Sequence, residues 1–484
     1  MDPTPLKLRR AGKTDIPGPL RRSFSEASTF NAGATLGPVN PVRSKTLKMS
    51  ADVQARRTSN GVNETNMARI RNKPQIVEQS SLRGRHKQSN TPLKRKVFVG
   101  MSGGVDSSVT AALLKQATPN NFEKLFGHPT PKGFRGFDVR GVHIKMWSPM
   151  ESRTDSTGQA DPFFAVCKQQ NQDRIDATRV AAHLNIPFET WDFSKEYKKE
   201  VVEYMIREYA KGRTPNPDVM CNRHIKFGIF LKRALKEGAD FVATGHYARN
   251  ASVADSRRLN ADRRRRFILM QANDKNKDQS YFIWTLTQKQ LRHVLFPIGE
   301  YTKPEVRKMA KKYGLSTAEK KDSQGICFIG EIDLREFLKR HIPAKRGSVV
   351  TTSGKKIGEH EGLFSYTLGQ RQGIGIGGGI PFYVVAKDYK TNTLIVAEGP
   401  FDEKLFRQEL KARDLNWISG DAPRFPYKCE ARIRYRQPLQ FCRIAEITSN
   451  RLLVTFAEPQ RAVTPGQSIV FYKNGEMLGG GIIM

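Results

Sequence analysis

Cysteine is scarce in this chain: Cys167, Cys221, Cys327, Cys429 and Cys442 are the only five in 484 residues. None forms a C-x-x-C pair, which argues against a zinc ribbon. A low, odd number also argues against a disulfide scaffold and fits a reducing compartment. A cysteine with a function would then be nucleophilic or redox-active. No run of 18 apolar residues exists, so no transmembrane helix and no membrane partner is expected. Acidic residues are outnumbered, 47 Asp and Glu against 82 Lys and Arg, for a formal net charge of +35. Such an excess points to a polyanionic partner, nucleic acid or a membrane surface, or else to a basic organellar protein without one.

Residues 1–96 stand apart. They carry 20 Lys and Arg against 6 Asp and Glu, are rich in Ser, Thr, Asn and Pro, and have little apolar periodicity. Disorder is expected there. Being Arg- and Ser-rich and acid-poor, the segment reads as a mitochondrial transit region, and Arg22-Ser23-Phe24-Ser25 resembles a matrix-peptidase site. A basic tail without a targeting role, or a true start at Met49 or Met67, stays open.

From Val97 the pattern alternates between strand and helix. Val97-Phe98-Val99, Val139–Trp147, Phe188–Asp192 and Asp240–Thr244 read as strands. Residues 168–185 read as a helix with Ile175, Val180, Ala181 and Leu184 inward, followed by helices over Tyr197–Tyr209 and Ile225–Leu235. This predicts an α/β fold, a parallel sheet with helices on both faces and ligands at the carboxyl ends of the strands. Polar insertions are expected at about 118–138 and 250–265, the second holding Arg263–Arg266, a solvated loop or an RNA contact. Thr302-Lys303-Pro304-Glu305 opens a helix that should stop at Gly314. After Gly347 short strands dominate, and Asn474-Gly475 marks a hairpin in a small C-terminal β-barrel. Gly373–Gly379 neither leaves a clear strand nor opens a helix, so it reads as a flexible loop and not a dinucleotide motif.

Four stretches carry chemistry. Gly100-Met101-Ser102-Gly103-Gly104-Val105-Asp106-Ser107-Ser108 lies between a strand and the helix of Val109, Ala112 and Leu113. Its glycines let a phosphate approach backbone N–H groups at a helix start. It lacks the Lys of G-x-x-x-x-G-K-[ST] and resembles the S-G-G-x-D-S loop of the PP-loop ATP pyrophosphatases. In Gly212–Asn222 two prolines should force an extended loop, placing Cys221 close to a helix start that favours a thiolate, with Asp218 nearby to orient it or accept a proton. A buried structural cysteine reads as well from these local features. Lys321–Gly330 sets Cys327 after a polar, Gly-containing turn in the basic surrounding of Lys320 and Lys321. Thr244-Gly245-His246 ends a strand, where a nucleotide-contacting Gly or a substrate-contacting His belongs, although a satisfied core His fits too. Cys167, Cys429 and Cys442 have no such setting and read as core or incidental.

These stretches, with NKDQSYF, TLGQRQGIGIGG, IRYRQ and VTPGQSIVFY, give residues 97–484 a resemblance to the tRNA-specific 2-thiouridylases in their mitochondrial branch. The resemblance implies a PP-loop (adenine nucleotide alpha hydrolase-like) catalytic domain over 97–325, a central domain over 326–400 and a β-barrel over 401–484. It implies ATP and Mg²⁺ as cofactors, with ATP on Gly100–Ser107 and adenosine against Ile144 and Gly245. Asn216, Pro217 and Asp218 would meet the target uridine. His246, Lys277, Asp278, Gln279, Arg434, Tyr435 and Gln467 would contact tRNA. Cys221 corresponds to the nucleophile and Cys327 to the persulfide carrier, fed by a cysteine-desulfurase relay to a monomeric enzyme. The competing readings are an amide-forming PP-loop ligase and an idle RNA-binding protein on the same fold.

Overall fold

The chain alternates as its periodicity demands. β1 (Arg95–Gly100), β2 (Phe137–Lys145), β3 (Phe188–Asp192) and β4 (Phe241–Thr244) are followed by a hairpin, β5 (Ala248–Ala254) and β6 (Arg265–Gln271), and by the short β7 (Val294–Leu295). β1 to β4 and β7 form one all-parallel sheet in the order β3-β2-β1-β4-β7. In this computed structural model the described residues are 94–126, 129–148, 164–254, 265–322, 334–377 and 379–484.

Both faces of the sheet are covered, so the central strands are largely apolar in their middles, while Arg95, Lys96, Asp138 and Lys145 sit towards strand ends and the edge strand β3 exposes Glu189 and Asp192. Phe98, Val142, Trp191 and Val242 face one core, shared with the helical stretch 194–210 and with Ile225 and Phe230. Val97, Val99 and Ala243 face the other, under α1 (Val105–Lys115), α2 (Phe164–His183) and α3 (Lys303–Lys312). Ile175 of α2, expected inward, is exposed, and Ala177 takes its place beside Val180 and Ala181. The insertion at 118–138 is not simply polar: Phe122, Phe126, Phe134 and Phe137 cluster beneath it, with the Phe122 and Phe134 rings 4.6 Å apart. α3 stops as read, with Gly314 at φ +65° and its N–H donating to Lys311 O.

After α4 (Leu334–Lys339) comes a second, mixed sheet of β8 (Gly347–Thr351), β9 (Lys356–His360), β10 (Phe382–Asp388) and β11 (Thr393–Glu398), around Val349, Val384, Leu394 and Val396. The last strands are β12 (Phe406–Trp417), β13 (Tyr427–Arg432), β14 (Gln440–Thr448), β15 (Arg451–Arg461), β16 (Ser468–Lys473) and β17 (Glu476–Ile483). They run β12-β15-β14-β13-β16-β17, and β17 pairs back onto β12 to close a six-stranded barrel. Asn474 and Gly475, at φ +51° and +79°, make the tight turn between the last two strands.

Both ends of the expected polar loop at 250–265 are strand. β5 and β6 pair with each other, and β6 adds to the barrel through Glu476↔Met270 and Met477↔Leu269. Residues 255–264 lie outside the described residues. Arg266 is neither solvated nor free for RNA: it donates to Glu476 at 2.8 Å. Among the described residues no helix is long and apolar enough to cross a membrane. The expected disorder and transit region fall on residues outside the description, apart from the start of β1.

Candidate functional site: a phosphate loop beside a buried cysteine

The sheet reverses its direction of growth at β1. β2 and β3 extend it on one side and β4 on the other, with Gly100 and Thr244 as register partners. A crevice at the carboxyl ends of such strands is where ligands bind in open α/β sheets. The turn Met101–Gly104 lies there. Gly103 has φ +73°, and a Cβ on it would stand 2.1 Å from Asp173 O. Gly104 caps α1 with an extended backbone and no side-chain cap, so no side chain takes up the first-turn N–H groups. The turn is braced by its own hydroxyls: the Ser102 N–H donates to Ser107 Oγ at 3.2 Å, and Ser107 Oγ donates to Gly104 O at 3.1 Å. Gly245 closes the far side, where a Cβ would meet Ser107 N at 2.7 Å. Ile144, one residue before the end of β2, is half-buried.

A charged network behind this loop escaped the sequence reading. Asp106, in the first turn of α1, accepts from the Tyr247 hydroxyl at 2.8 Å and from Lys303 Nζ at 2.8 and 2.9 Å. Lys303 also pairs with Asp322 at 2.8 Å, and Asp322 pairs with Lys277 at 2.6 Å and Arg307 at 2.9 Å. Burial alone would raise the Asp322 pKa, but the Lys277 and Lys303 ammonium groups win and hold it at about 2. Gln279 accepts the Tyr247 N–H at 3.0 Å. Lys303 read only as a helix opener, and nothing local marks a partner 197 residues away.

The loop before Cys221 turns helical earlier than expected. Asn216 caps the helix, its Oδ1 accepting the Val219 N–H at 3.2 Å, and Pro217 stands at the first helical position, where a missing N–H costs nothing. Helix therefore runs over Pro217–Met220, Cys221–Phe230 and Leu231–Lys236, the middle stretch π-helical. Cys221 lies past the first turn, beyond the reach of the helix-end dipole that the sequence reading invoked. It is buried and forms no disulfide. Asp218 occupies the first turn instead; burial pushes its carboxyl pKa up, and the Lys226 charge partly offsets this. His246 is driven well below its usual value by burial and, secondarily, by the same Lys226.

Cys327 lies outside the described residues. Lys320, expected to lend it positive charge, is taken up by Asp173 at 2.7 Å and Asp176 at 2.6 Å. Cys429 and Cys442 are buried register partners across β13 and β14, with sulfurs 3.7 Å apart. The Cys167 side chain is outside the description.

Several expected tRNA contacts point inward. Asp278 is 1% exposed and accepts from Ala272 N, Ser280 N and Gln271 Nε2, with Arg432 at 3.4 Å. His246 Nδ1 meets Thr244 Oγ1 at 2.7 Å, and its ring packs between Phe227 and Phe296. Both side chains are therefore enclosed in the free chain. Arg434 donates to Leu368 O, Ala462 O and Thr464 Oγ1, fastening the barrel to the central sheet. Gln467 Nε2 donates to Thr214 O and Pro215 O, both at 3.1 Å, and the Thr214 N–H donates to Pro465 O. The barrel therefore holds the segment that leads to Cys221. The Tyr435 ring packs at a tilt against Phe282, centroids 4.6 Å apart, and remains partly exposed, as do Lys277 and Gln279.

Among the described residues no group of three or more His, Cys, Asp or Glu is arranged to hold a metal. A single carboxylate at a phosphate loop, as Asp106 provides, is the donor set Mg²⁺ takes when phosphates supply further oxygens. Residues 95–126 and 133–331 match the tRNA methyl transferase HUP domain, 335–398 the tRNA methyl transferase PRC-barrel domain, and 407–483 the aminomethyltransferase beta-barrel domain. The tRNA-specific 2-thiouridylase MnmA of Geobacillus thermodenitrificans is 44% identical over 396 residues, covering 82% of this chain and 96% of that protein. Its counterpart in Protochlamydia amoebophila is 45% identical over 391 residues, 81% of this chain and 93% of that one. With likeness of this degree over nearly the whole of its relatives, the chain belongs to the family of tRNA-specific 2-thiouridylases, MnmA.

Proposed function

We propose that this protein thiolates the wobble uridine of tRNA at C2, using ATP and a persulfide sulfur and releasing AMP and pyrophosphate. The observation that carries the reading is one continuous arrangement. Gly245 abuts Ser107 of the phosphate loop, the ring of its neighbour His246 packs against Phe227 at 5.7 Å, and Phe227 lies on the same helical stretch as Cys221. On this reading nucleotide and thiol chemistry share one cleft.

The C2 oxygen of uridine is a poor leaving group. Its attack on the α-phosphorus of ATP, held by Gly100–Ser107 with Ile144 and Gly245 lining the adenosine, expels pyrophosphate and leaves an O-adenylate. The terminal sulfur of a Cys327 persulfide then displaces AMP from C2. The Cys221 thiolate attacks the inner sulfur, leaving thiouridine and a Cys221–Cys327 disulfide that a dithiol reduces; release of hydrosulfide before attack is the alternative order. Asn216, Pro217 and Asp218 border the base, which must be everted to reach them. The raised carboxyl pKa of Asp218 suits proton exchange with it. Mg²⁺ on Asp106 would supply charge stabilisation to the phosphates. Lys277, Gln279 and Tyr435 are partly exposed and would meet tRNA, as would Arg434 and Gln467, which are partly exposed too and also hold the platform.

The net charge of +35 supports tRNA as the partner, and the acid-poor residues 1–96 support mitochondrial import. A cysteine-desulfurase relay as sulfur donor and a monomeric state complete the proposal. The test is incubation with tRNA, ATP, Mg²⁺ and a persulfide donor, with mass spectrometry of the nucleosides. Thiolated uridine supports the reading. AMP formation that needs ammonia and no tRNA would replace it with an amide-forming ligase, and tRNA binding without AMP release with an idle RNA-binding protein.

A further inference from the structure

We propose that Lys303 is the cation of the adenylation step, giving up Asp106 for the phosphate oxygens of ATP and stabilising pyrophosphate as it departs. This rests on the function argued above and names a group for a role the loop cannot fill from its own residues. No Lys or Arg occurs between Gly100 and Ser108, whereas a G-x-x-x-x-G-K-[ST] loop brings its own lysine to the phosphates.

The charge arrives from α3. Lys303 is only 8% exposed, yet its ammonium group lies 2.8 Å from the Asp106 carboxylate in the first turn of α1. That turn is where an anion on the loop would sit. Asp106 itself is 31% exposed at its side chain, so the pair opens towards the crevice. A lone carboxylate there would repel a polyphosphate; the Lys303 contact offsets that charge in the free chain, and Mg²⁺ on Asp106 would offset it once Lys303 turns to phosphate. The stem is fixed: Glu305 accepts the Thr302 N–H at 2.7 Å, Pro304 follows, and the Lys303 N–H donates to Asp274 at 2.9 Å. A charge positioned before the reaction needs no reorganisation when negative charge develops. An ammonium on a four-carbon stem re-aims its three donors without backbone movement. Lys277 and Arg307 share Asp322 with Lys303, so Asp322 stays neutralised when Lys303 turns to phosphate.

The step balances. As the uridine C2 oxygen bonds to the α-phosphorus, the bond from that phosphorus to the bridging oxygen breaks and its electron pair leaves with pyrophosphate; Lys303 donates hydrogen bonds and transfers no proton.

The test uses the full chain and compares binding of inorganic pyrophosphate and of AMP by calorimetry. Lys303→Met should weaken pyrophosphate at least tenfold, leave AMP within twofold, and slow tRNA-dependent pyrophosphate release by ~10²–10³-fold. Lys303→Arg should recover at least a tenth of the rate. Equal weakening of pyrophosphate and AMP, or no weakening of either, would overturn the proposal. If Lys303→Met does not fold, Asp322→Asn decides. Freeing Lys303 from one carboxylate should tighten pyrophosphate binding, and unchanged or weaker binding rejects the assignment. A wild-type protein that binds pyrophosphate but forms no AMP with tRNA would instead remove the functional reading, leaving the binding comparison intact.

Discussion

Gly245→Ala isolates the fit between β4 and the phosphate loop. The added Cβ would lie 2.7 Å from Ser107 N and 2.8 Å from Asp106 C, where ordinary contact begins at 3.4 Å, and both neighbours are backbone. Nothing can rotate away, so the first turn of α1 must retreat by about 0.7 Å or β4 must shift by as much. Overpacking of this kind costs ~1–3 kcal/mol of stability. Displacing reacting groups by about 1 Å costs up to ~10²-fold in rate. We therefore expect kcat/KM for ATP to fall ~30- to 100-fold, about 2–2.7 kcal/mol of transition-state stabilisation. tRNA affinity should be unchanged, because the perturbed groups face the nucleotide. Pyrophosphate release at saturating tRNA with ATP varied measures the first quantity, filter binding of labelled tRNA the second, and a thermal melt separates local displacement from unfolding. Gly377→Ala is the control, since a Cβ there meets nothing within 4 Å. A Gly245→Ala enzyme with wild-type kcat/KM for ATP would refute the placement of ATP on this loop.

Three further outcomes follow from the geometry. Asp278→Ala strands Arg432, 6% exposed at its side chain, and should cost ~3–5 kcal/mol in chemical denaturation; a loss below ~1 kcal/mol would mean that Asp278 is not the core anchor it resembles here. Asp322 has a folded-state pKa of about 2 against ~3.9 unfolded, so its contribution is complete above about pH 4 and lost as pH falls towards 2; Asp322→Asn should flatten that acid limb of the stability profile, and an unaltered limb would sink the assignment. Cys221→Ser should accept sulfane sulfur on Cys327 yet fail to complete thiolation, while Cys429→Ser and Cys442→Ser stay active. Radiolabelled persulfide transfer and nucleoside mass spectrometry check this set, and normal thiolation by Cys327→Ser would overturn the roles.

Local pattern was enough wherever one segment decides its own conformation. Val97–Val99, the Gly/Ser turn and the small residues of α1 announce strand, turn and helix, because periodicity and glycine placement act over a few residues. Asn474-Gly475 fixes its hairpin in the same way, since both positions need positive φ. The Asn216–Pro217 start was misjudged although its signals are local. Two prolines suggested an extended loop, but the second stands where a helix needs no N–H donor, and this moved Cys221 past the first turn.

The sequence by itself determined the layered α/β domain, the phosphate loop and the run of short strands and hairpins at the C-terminal end, because each rests on short-range geometry. Only the tertiary structure decided which charges meet. Asp106 and Lys303, 197 residues apart, are paired because α1 and α3 cover the same face of the sheet, so their first turns converge beside the loop. Asp278 and His246, which the resemblance set against tRNA, are buried, with Arg432 and Thr244 as their polar partners. The β5–β6 hairpin joins the barrel because the edge of β17 offers it backbone partners that no nearby residue reveals. Pairing across such distances depends on where the chain returns, and burial then fixes it, since an unpaired charge in that interior costs more than the contact gains.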